Sequence, residues 1–455
     1  MDFLKHLALP QSEQQIVVLH MVLNIVSIIF LPYISILWGS SLLSIFYNRE
    51  GKKKSNIQYL QFAKDLAETF IVGKGVLFLF GVVPFLSLVF SYAQIFQETS
   101  VISISILTFA FFLFVISAAL LYSYYYTLKL GGLLNAVSSL PLKKQSNNDS
   151  TIEDVKEYEQ HTVRTNDTTG MYGITLLTIS LFLWIVSVTL MNTPQQWESV
   201  TSFLSLIFSL HGILRFVEFI AFAFVTTSAA ILFYFFAWQG GKREISDEYS
   251  GFVKKFSLSF GIIATLIAPL FLFFDVALVS SLSVSNSFYF YAVIVLIALL
   301  LIIHFFYALS KNFSLKTTRN AFYFTCVMLL FFVLKEQTSF ATSTQKQSSF
   351  LAAQYTKHHE ELLASMGVSL TVLTGEDIFV GKCSACHNFA KKEAGKIGPL
   401  YKDVLPKYEN DKQKLVSFIL NPQKVDPAFP PMPNQGLKPK EADSIAAYIM
   451  KMYKQ

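Results

Sequence analysis

Eight apolar stretches recur along the first 335 residues: 16–47, 69–97, 101–128, 170–191, 201–238, 257–281, 287–310 and 320–335. A bilayer's hydrocarbon layer is roughly 30 Å thick, which about 20 helical residues cross. Inside it every backbone N–H and C=O must be satisfied locally, so a chain with this pattern folds there as a helix bundle. Composition agrees: 53% of residues are hydrophobic, 45 are Phe and only 15% are charged, beyond the range of soluble domains. The fifth stretch has room for an interfacial turn near Ser209, and the eighth, which is short, has room to extend to about Phe340.

Charge placement sets an expected orientation. The connections after stretches 1, 3, 5 and 7 are basic: Arg49 and Lys52 to Lys54; Lys143, Lys144, Lys156 and Arg164; Lys242, Arg243, Lys254 and Lys255; Lys311, Lys316 and Arg319. Those after stretches 2, 4 and 6 hold no Lys or Arg. The positive-inside rule then places the N-terminus outside and the basic loops in the cytoplasm. Eight crossings return the chain to the outside. The first apolar stretch is long and follows no basic run, so it reads as a retained helix rather than a cleaved signal. The net charge of +6 lies mostly in these loops, which argues against nucleic-acid binding. The loop 143–168 is the longest, and its Lys-Lys-Gln-Ser-Asn-Asn-Asp-Ser stretch has a disordered composition.

Past the last apolar stretch the chain changes character. Cys383-Ser384-Ala385-Cys386-His387 has the C-x-x-C-H spacing that attaches haem c covalently. Two thiols one helical turn apart reach the two vinyl groups of one haem, and His387 follows as the proximal iron ligand. A short string of this kind can also hold zinc. Its surroundings favour haem: a helix start at Gly375-Glu376-Asp377-Ile378-Phe379, then Ile397-Gly398-Pro399-Leu400, Asn421-Pro422 and Phe429-Pro430-Pro431-Met432-Pro433. An amphipathic helix from Ala442 to Tyr453 presents Ile445, Tyr448 and Ile449 on one side. Motif by motif, about the last 85 residues resemble the small monohaem cytochrome c domain. That resemblance implies Met432 as the second axial ligand, and a thioether there raises the potential and suits electron transfer. Met366 is the fallback ligand, although it precedes the haem helix. His358 and His359 read as solvated residues of a preceding helix.

Ionisable residues inside the bilayer are costly and mark function by default. His211, Arg215 and Glu218 share one face of the fifth stretch, a face suited to quinol binding, proton handling or an Arg215–Glu218 pair. His20, near the outer end of the first stretch, could join His211 in ligating a haem b, or be an interfacial residue. Asp275 follows Pro269 in the outer half of the sixth stretch and is a partner for Arg215 or a proton-relay group. His304, Lys74 and Glu68 read as interfacial or structural, and Cys326 as a small lipid- or core-facing residue.

Phe30-Leu31-Pro32, Met191-Asn192-Thr193-Pro194 and Arg215-Phe216-Val217-Glu218 follow one another as in the large subunit of cytochrome bd quinol oxidase, which residues 15–340 distantly resemble. The departures are specific. Where that family has a haem-ligating His before the Pro of its first helix, this chain has Ser27, and Glu218 replaces the His after Arg-Phe-Val. Residues 101–128 hold no acid, the link 281–287 is too short for a quinol loop, and 287–310 holds no Met. The resemblance therefore implies a scaffold without the family's oxygen chemistry.

The expectation is an all-α chain: residues 1–335 a transmembrane bundle, 336–370 a polar connector, helical around Gln354 to Met366, and 371–455 a cytochrome c domain. It would carry one covalent haem c on Cys383, Cys386, His387 and Met432. It would pass electrons in a respiratory chain of a bacterial inner membrane, with its haem domain in the periplasm. Expected partners are other respiratory-chain subunits or soluble cytochromes and membrane lipid, with a quinol as a further candidate. Quinol:cytochrome c oxidoreduction and an assembly or docking role are the alternatives.

Overall fold

A computed structural model describes residues 11–71, 73–97, 99, 101–138, 149–241, 245–365, 374–388, 396–408, 411–427 and 429–454. Met366, Lys143, Lys144, Lys242 and Arg243 lie outside the described residues. Among those described, the regular structure is helical, and the chain forms two compact units, Met1–Tyr355 and Thr356–Gln455.

Eight described helices of the first unit are long and apolar enough to cross a membrane: α1 (Glu13–Lys54), α2 (Lys74–Ile95), α3 (Ser103–Leu134), α4 (Asp154–Met191), α5 (Leu210–Gly240), α6 (Asp247–Leu278), α7 (Asn286–Lys311) and α8 (Leu315–Ser343). Their outward faces carry large apolar residues, among them Val17, Phe90, Phe112, Leu266, Phe273 and Leu300. Small hydroxyl residues face inward and hydrogen-bond backbone carbonyls, which lets helices without a hydrophobic drive between them approach closely. Ser117 Oγ donates to Gly173 O at 2.9 Å and Ser180 Oγ to Ala110 O at 2.7 Å, tying α3 to α4. Thr227 Oγ1 donates to Ser35 O at 3.2 Å, tying α5 to α1.

Several boundaries differ from the sequence reading. Thr69 and Phe70 belong to a separate helix, Ile57–Phe70, capped by Asn56, and α2 begins at Lys74. Glu68 therefore lies on that amphipathic helix, 4.0 Å from Lys64, while Lys74 sits 4.6 Å from the centroid of the Tyr122 ring. Residues 149–168, read as loop, are helical and continuous with α4. There the Asn48 amide donates to Asn166 at 2.9 Å and Lys52 pairs with Asp167 at 2.7 Å, contacts that composition cannot register. In the fifth stretch a short helix (Phe203–Ile207) ends before Ser209, whose hydroxyl caps α5 by accepting from Gly212 N at 3.3 Å. The short link 281–287 is pinned by Ser280, which donates to Gln195 at 2.6 Å, and by Ser283, which donates to Asn192 O. Most consequentially, α8 takes up the extension to about Phe340 and runs on to Ser343.

The helix α9 (Gln345–Ser365) contains the boundary between the two units, and His358 and His359 are exposed on it. In the second unit, α10 (Gly375–Ile378) runs into a wide turn, Phe379–Cys383, followed by α11 (Tyr401–Val404), α12 (Lys412–Leu420) and α13 (Pro439–Lys454). On α13, Ala442, Ile445, Ala446 and Ile449 are buried at helical spacing and meet Ile378, Leu415 and Ile419 in a small core. At the crossing of α10 and α13 a Cβ on Gly375 would lie 2.5 Å from Ser444 O, so only glycine permits this approach.

Candidate functional site

The C-x-x-C-H segment is held by local chemistry before any cofactor is considered. Thr374 and Asp377 cap α10 reciprocally: Asp377 N donates to Thr374 Oγ1 at 3.2 Å and Thr374 N to Asp377 Oδ2 at 2.8 Å. Hydrogen bonds from the Thr374 side chain and backbone hold the Asp377 carboxyl below its usual range. The helix widens at its end, with Ser384 N donating to Phe379 O at 2.7 Å, and a tight turn follows, closed by His387 N donating to Cys383 O at 3.0 Å. Cys383 is buried and Cys386 half-buried. Burial pushes the Cys383 thiol up, partly offset by the Tyr401 hydroxyl that bonds it.

The segment after the motif fixes the histidine. His387 Nδ1 is 2.9 Å from Pro399 O and donates to it, which leaves Nε2 as the free ring nitrogen. The ring stacks on Tyr401, with centroids 5.0 Å apart and planes 19° apart. A Cβ on Gly398 would fall 2.5 Å from His387 Cε1, so the loop approaches the ring only because that residue is glycine. A cleft with about 1040 Å³ of empty space, lined by Cys383, His387, Tyr401, Leu405, Ile419, Met432 and Ile445 among others, lies beside them. Met432 reaches it from a loop without regular structure. The flanking Pro431 and Pro433 restrict that backbone to extended conformations, and Asn434 anchors it by donating to Leu420 O at 3.1 Å. The structure thus brings three of the four expected haem residues to this cleft, and all four, Cys386 included, line an adjoining pocket.

In the membrane unit the polar face of α5 meets α6 and α8. Asp275 Oδ1 lies 3.1 Å from His211 Nε2 and 3.1 Å from Arg215 Nε, and its other oxygen pairs with Lys335. Arg215 also pairs with Glu336, and Lys335 Nζ is 2.8 Å from Glu336 Oε1. Lys335 is fully buried, with its ammonium 4.8 Å from the centroid of the Phe332 ring. Arg215 therefore pairs with Asp275 and Glu336 rather than with Glu218. Both carboxyl oxygens of Glu218 are buried and have no hydrogen-bond partner among the described residues. His20 packs on Phe340, ring centroids 5.5 Å apart, while His211 is engaged by Asp275. Neither histidine lines the cavity next to Glu218. His304 and Cys326 are exposed on the outer surface of the unit.

Residues 372–453 match the family model of cytochrome c. The C-terminal unit carries a cytochrome c domain. No curated protein and no solved structure matches the chain. The cytochrome c domain implies a covalently bound haem c, and the residues present fit one. The cleft is largely apolar, a buried cysteine and a histidine with one committed nitrogen share its wall, and a thioether side chain is held on the same cleft. When bound, haem iron supplies one-electron exchange between its ferrous and ferric states. The chain's own part is to hold the ring of His387 in one orientation.

The sequence reading lets the eighth stretch extend to about Phe340 but gives Lys335, Glu336 and Gln337 no role. A signal existed: 16 residues cannot span the bilayer, so a spanning helix had to carry these three polar residues into it.

Proposed function

We propose that the chain is a membrane-bound monohaem cytochrome c that carries electrons in a bacterial respiratory chain. The observation that carries this reading is one cleft lined by Cys383, His387 and Met432 in a chain that also holds eight membrane-length helices. Cys383 and Cys386 hold the haem, and His387 and Met432 ligate its iron. The basic connections face the cytoplasm, so the cytochrome c domain lies on the periplasmic side of the inner membrane, the side of the N-terminal segment. The helices dock it beside other respiratory-chain subunits or within reach of soluble cytochromes.

The membrane unit is a scaffold related to the cytochrome bd large subunit that has lost oxygen reduction. Ser27 and Glu218, the two positions where the resemblance places histidines, line one cavity, which supports common descent of the scaffold. The test is a pyridine haemochrome assay on the full-length protein, with haem counted per chain. One haem c and no haem b is expected. No haem c, or more than one haem, overturns the reading.

A further inference from the structure

The cavity beside Glu218 lies between α1, α2, α4, α5 and α8 and holds about 580 Å³ of empty space. Leu31, Trp184 and Phe332 supply apolar and aromatic walls, and Arg215, Glu218 and Gln337 supply polar groups. The ion cluster does not use Glu218. Arg215 and Lys335 are balanced by Asp275 and Glu336, two cations against two carboxylates. Glu218 is 1% exposed and both its oxygens are unpartnered among the described residues. Oε1 of Gln337 is also buried and unpartnered.

These buried acceptors, and the indole N–H of Trp184, which is also buried and unpartnered among the described residues, call for a ligand whose groups both donate and accept, as hydroxyls do, because an unmade hydrogen bond in a dry interior is costly. The space is larger than the roughly 30 Å³ share of one water. Its walls suit a flat ring, and the surrounding unit is lipid-facing, so what enters is lipid-soluble. We propose that this cavity binds the head group of a membrane quinol, with one hydroxyl donating to Glu218 and hydrogen bonding to Gln337. The proposal rests on the electron-carrier reading above, which selects a quinol among lipid-soluble aromatic diols.

The test uses full-length protein in lipid nanodiscs, titrated with a short-chain quinol and with its dimethyl ether, which keeps the ring and lacks the donors. Trp184 lines the cavity, so its fluorescence reports occupancy, and Trp184→Phe removes the response. Saturable one-site binding of the quinol is expected, with the ether at least about 10-fold weaker, the cost of leaving a buried acceptor without its hydrogen bond. Glu218→Leu should weaken the quinol by about the same factor and leave the ether unchanged, and Val188→Trp should abolish both by filling the space. If Val188→Trp does not fold, the Glu218→Leu comparison decides alone. Equal binding of quinol and ether, indifference to Glu218→Leu, or no saturable binding means a cavity for water or a lipid chain, and overturns the proposal. Haem content is measured on the same samples. Its absence would sink the electron-carrier reading, while the Trp184 signal still reports on the cavity.

Discussion

Replacing Asp275 by Asn removes a carboxylate on which donors from two helices converge, His211 and Arg215 from α5 and Lys335 from α8. One oxygen accepts from His211 and Arg215, both at 3.1 Å, the other pairs with Lys335, and the residue is 2% exposed. An amide is nearly isosteric, but its NH₂ turns a donor toward a donor, and Lys335 at 0% exposure is left with Glu336 alone. Removing one partner of a buried ion pair costs about 3–5 kcal/mol, so the unfolding equilibrium constant should rise by roughly two orders of magnitude or more. Glu218→Gln, on the same face of α5, should be nearly neutral because no hydrogen bond is lost. The assay is unfolding in mixed micelles with increasing SDS, followed by helix content. A double variant, Asp275→Leu with Lys335→Met, leaves the Arg215–Glu336 pair balanced and should be less destabilised than the sum of its single changes. A cost below about 1 kcal/mol for Asp275→Asn, the range of exposed pairs, would refute a dry, buried network.

Gly398→Ala should disturb haem ligation, since its Cβ would meet His387 Cε1 at 2.5 Å; haem stays attached through sulfur, but the iron's spectrum shifts, and an unchanged spectrum would show that the loop moves aside freely. Met432→Ala should leave attachment intact, open the iron to carbon monoxide, and lower the midpoint potential by on the order of 0.1 V, within the roughly 0.8 V that axial ligands command; a potential equal to wild type would remove Met432 from the site. The Asp377 carboxyl is held below its ordinary range by Thr374, so its contribution to the cap of α10 is present above the unfolded-state value and is lost as pH falls through the folded one. Amide protection factors over 375–380, taken relative to the intrinsic rate at each pH, should therefore fall in acid, and Asp377→Asn should flatten that dependence.

What was legible in the sequence depended on how local its cause is. Eight apolar stretches specify eight helices because a lipid-crossing backbone must satisfy itself within each segment. Ser209 punctuates the fifth stretch because a hydroxyl one turn before Gly212 caps a helix by itself. The spacing of Cys383, Cys386 and His387 is equally local. The errors fell where polarity was read as the end of a helix. Asp154 to Thr168 is charged yet helical because it meets Asn48 and Lys52 on α1, and α8 continues past Lys335 because cations there find carboxylates on another helix and its own neighbour.

The sequence by itself determined the membrane-crossing pattern and the covalent attachment motif, since both are written in residues a few positions apart. Only the tertiary structure decided which charges neutralise one another. Asp275 and Lys335 are 60 positions apart, and Arg215 could have taken Glu218 or either of two other carboxylates. Inside a low-dielectric bundle, the choice falls to whichever groups packing brings within 3 or 4 Å. That choice left Glu218 without a hydrogen-bond partner among the described residues and lining a cavity, a property that no spacing along the chain encodes.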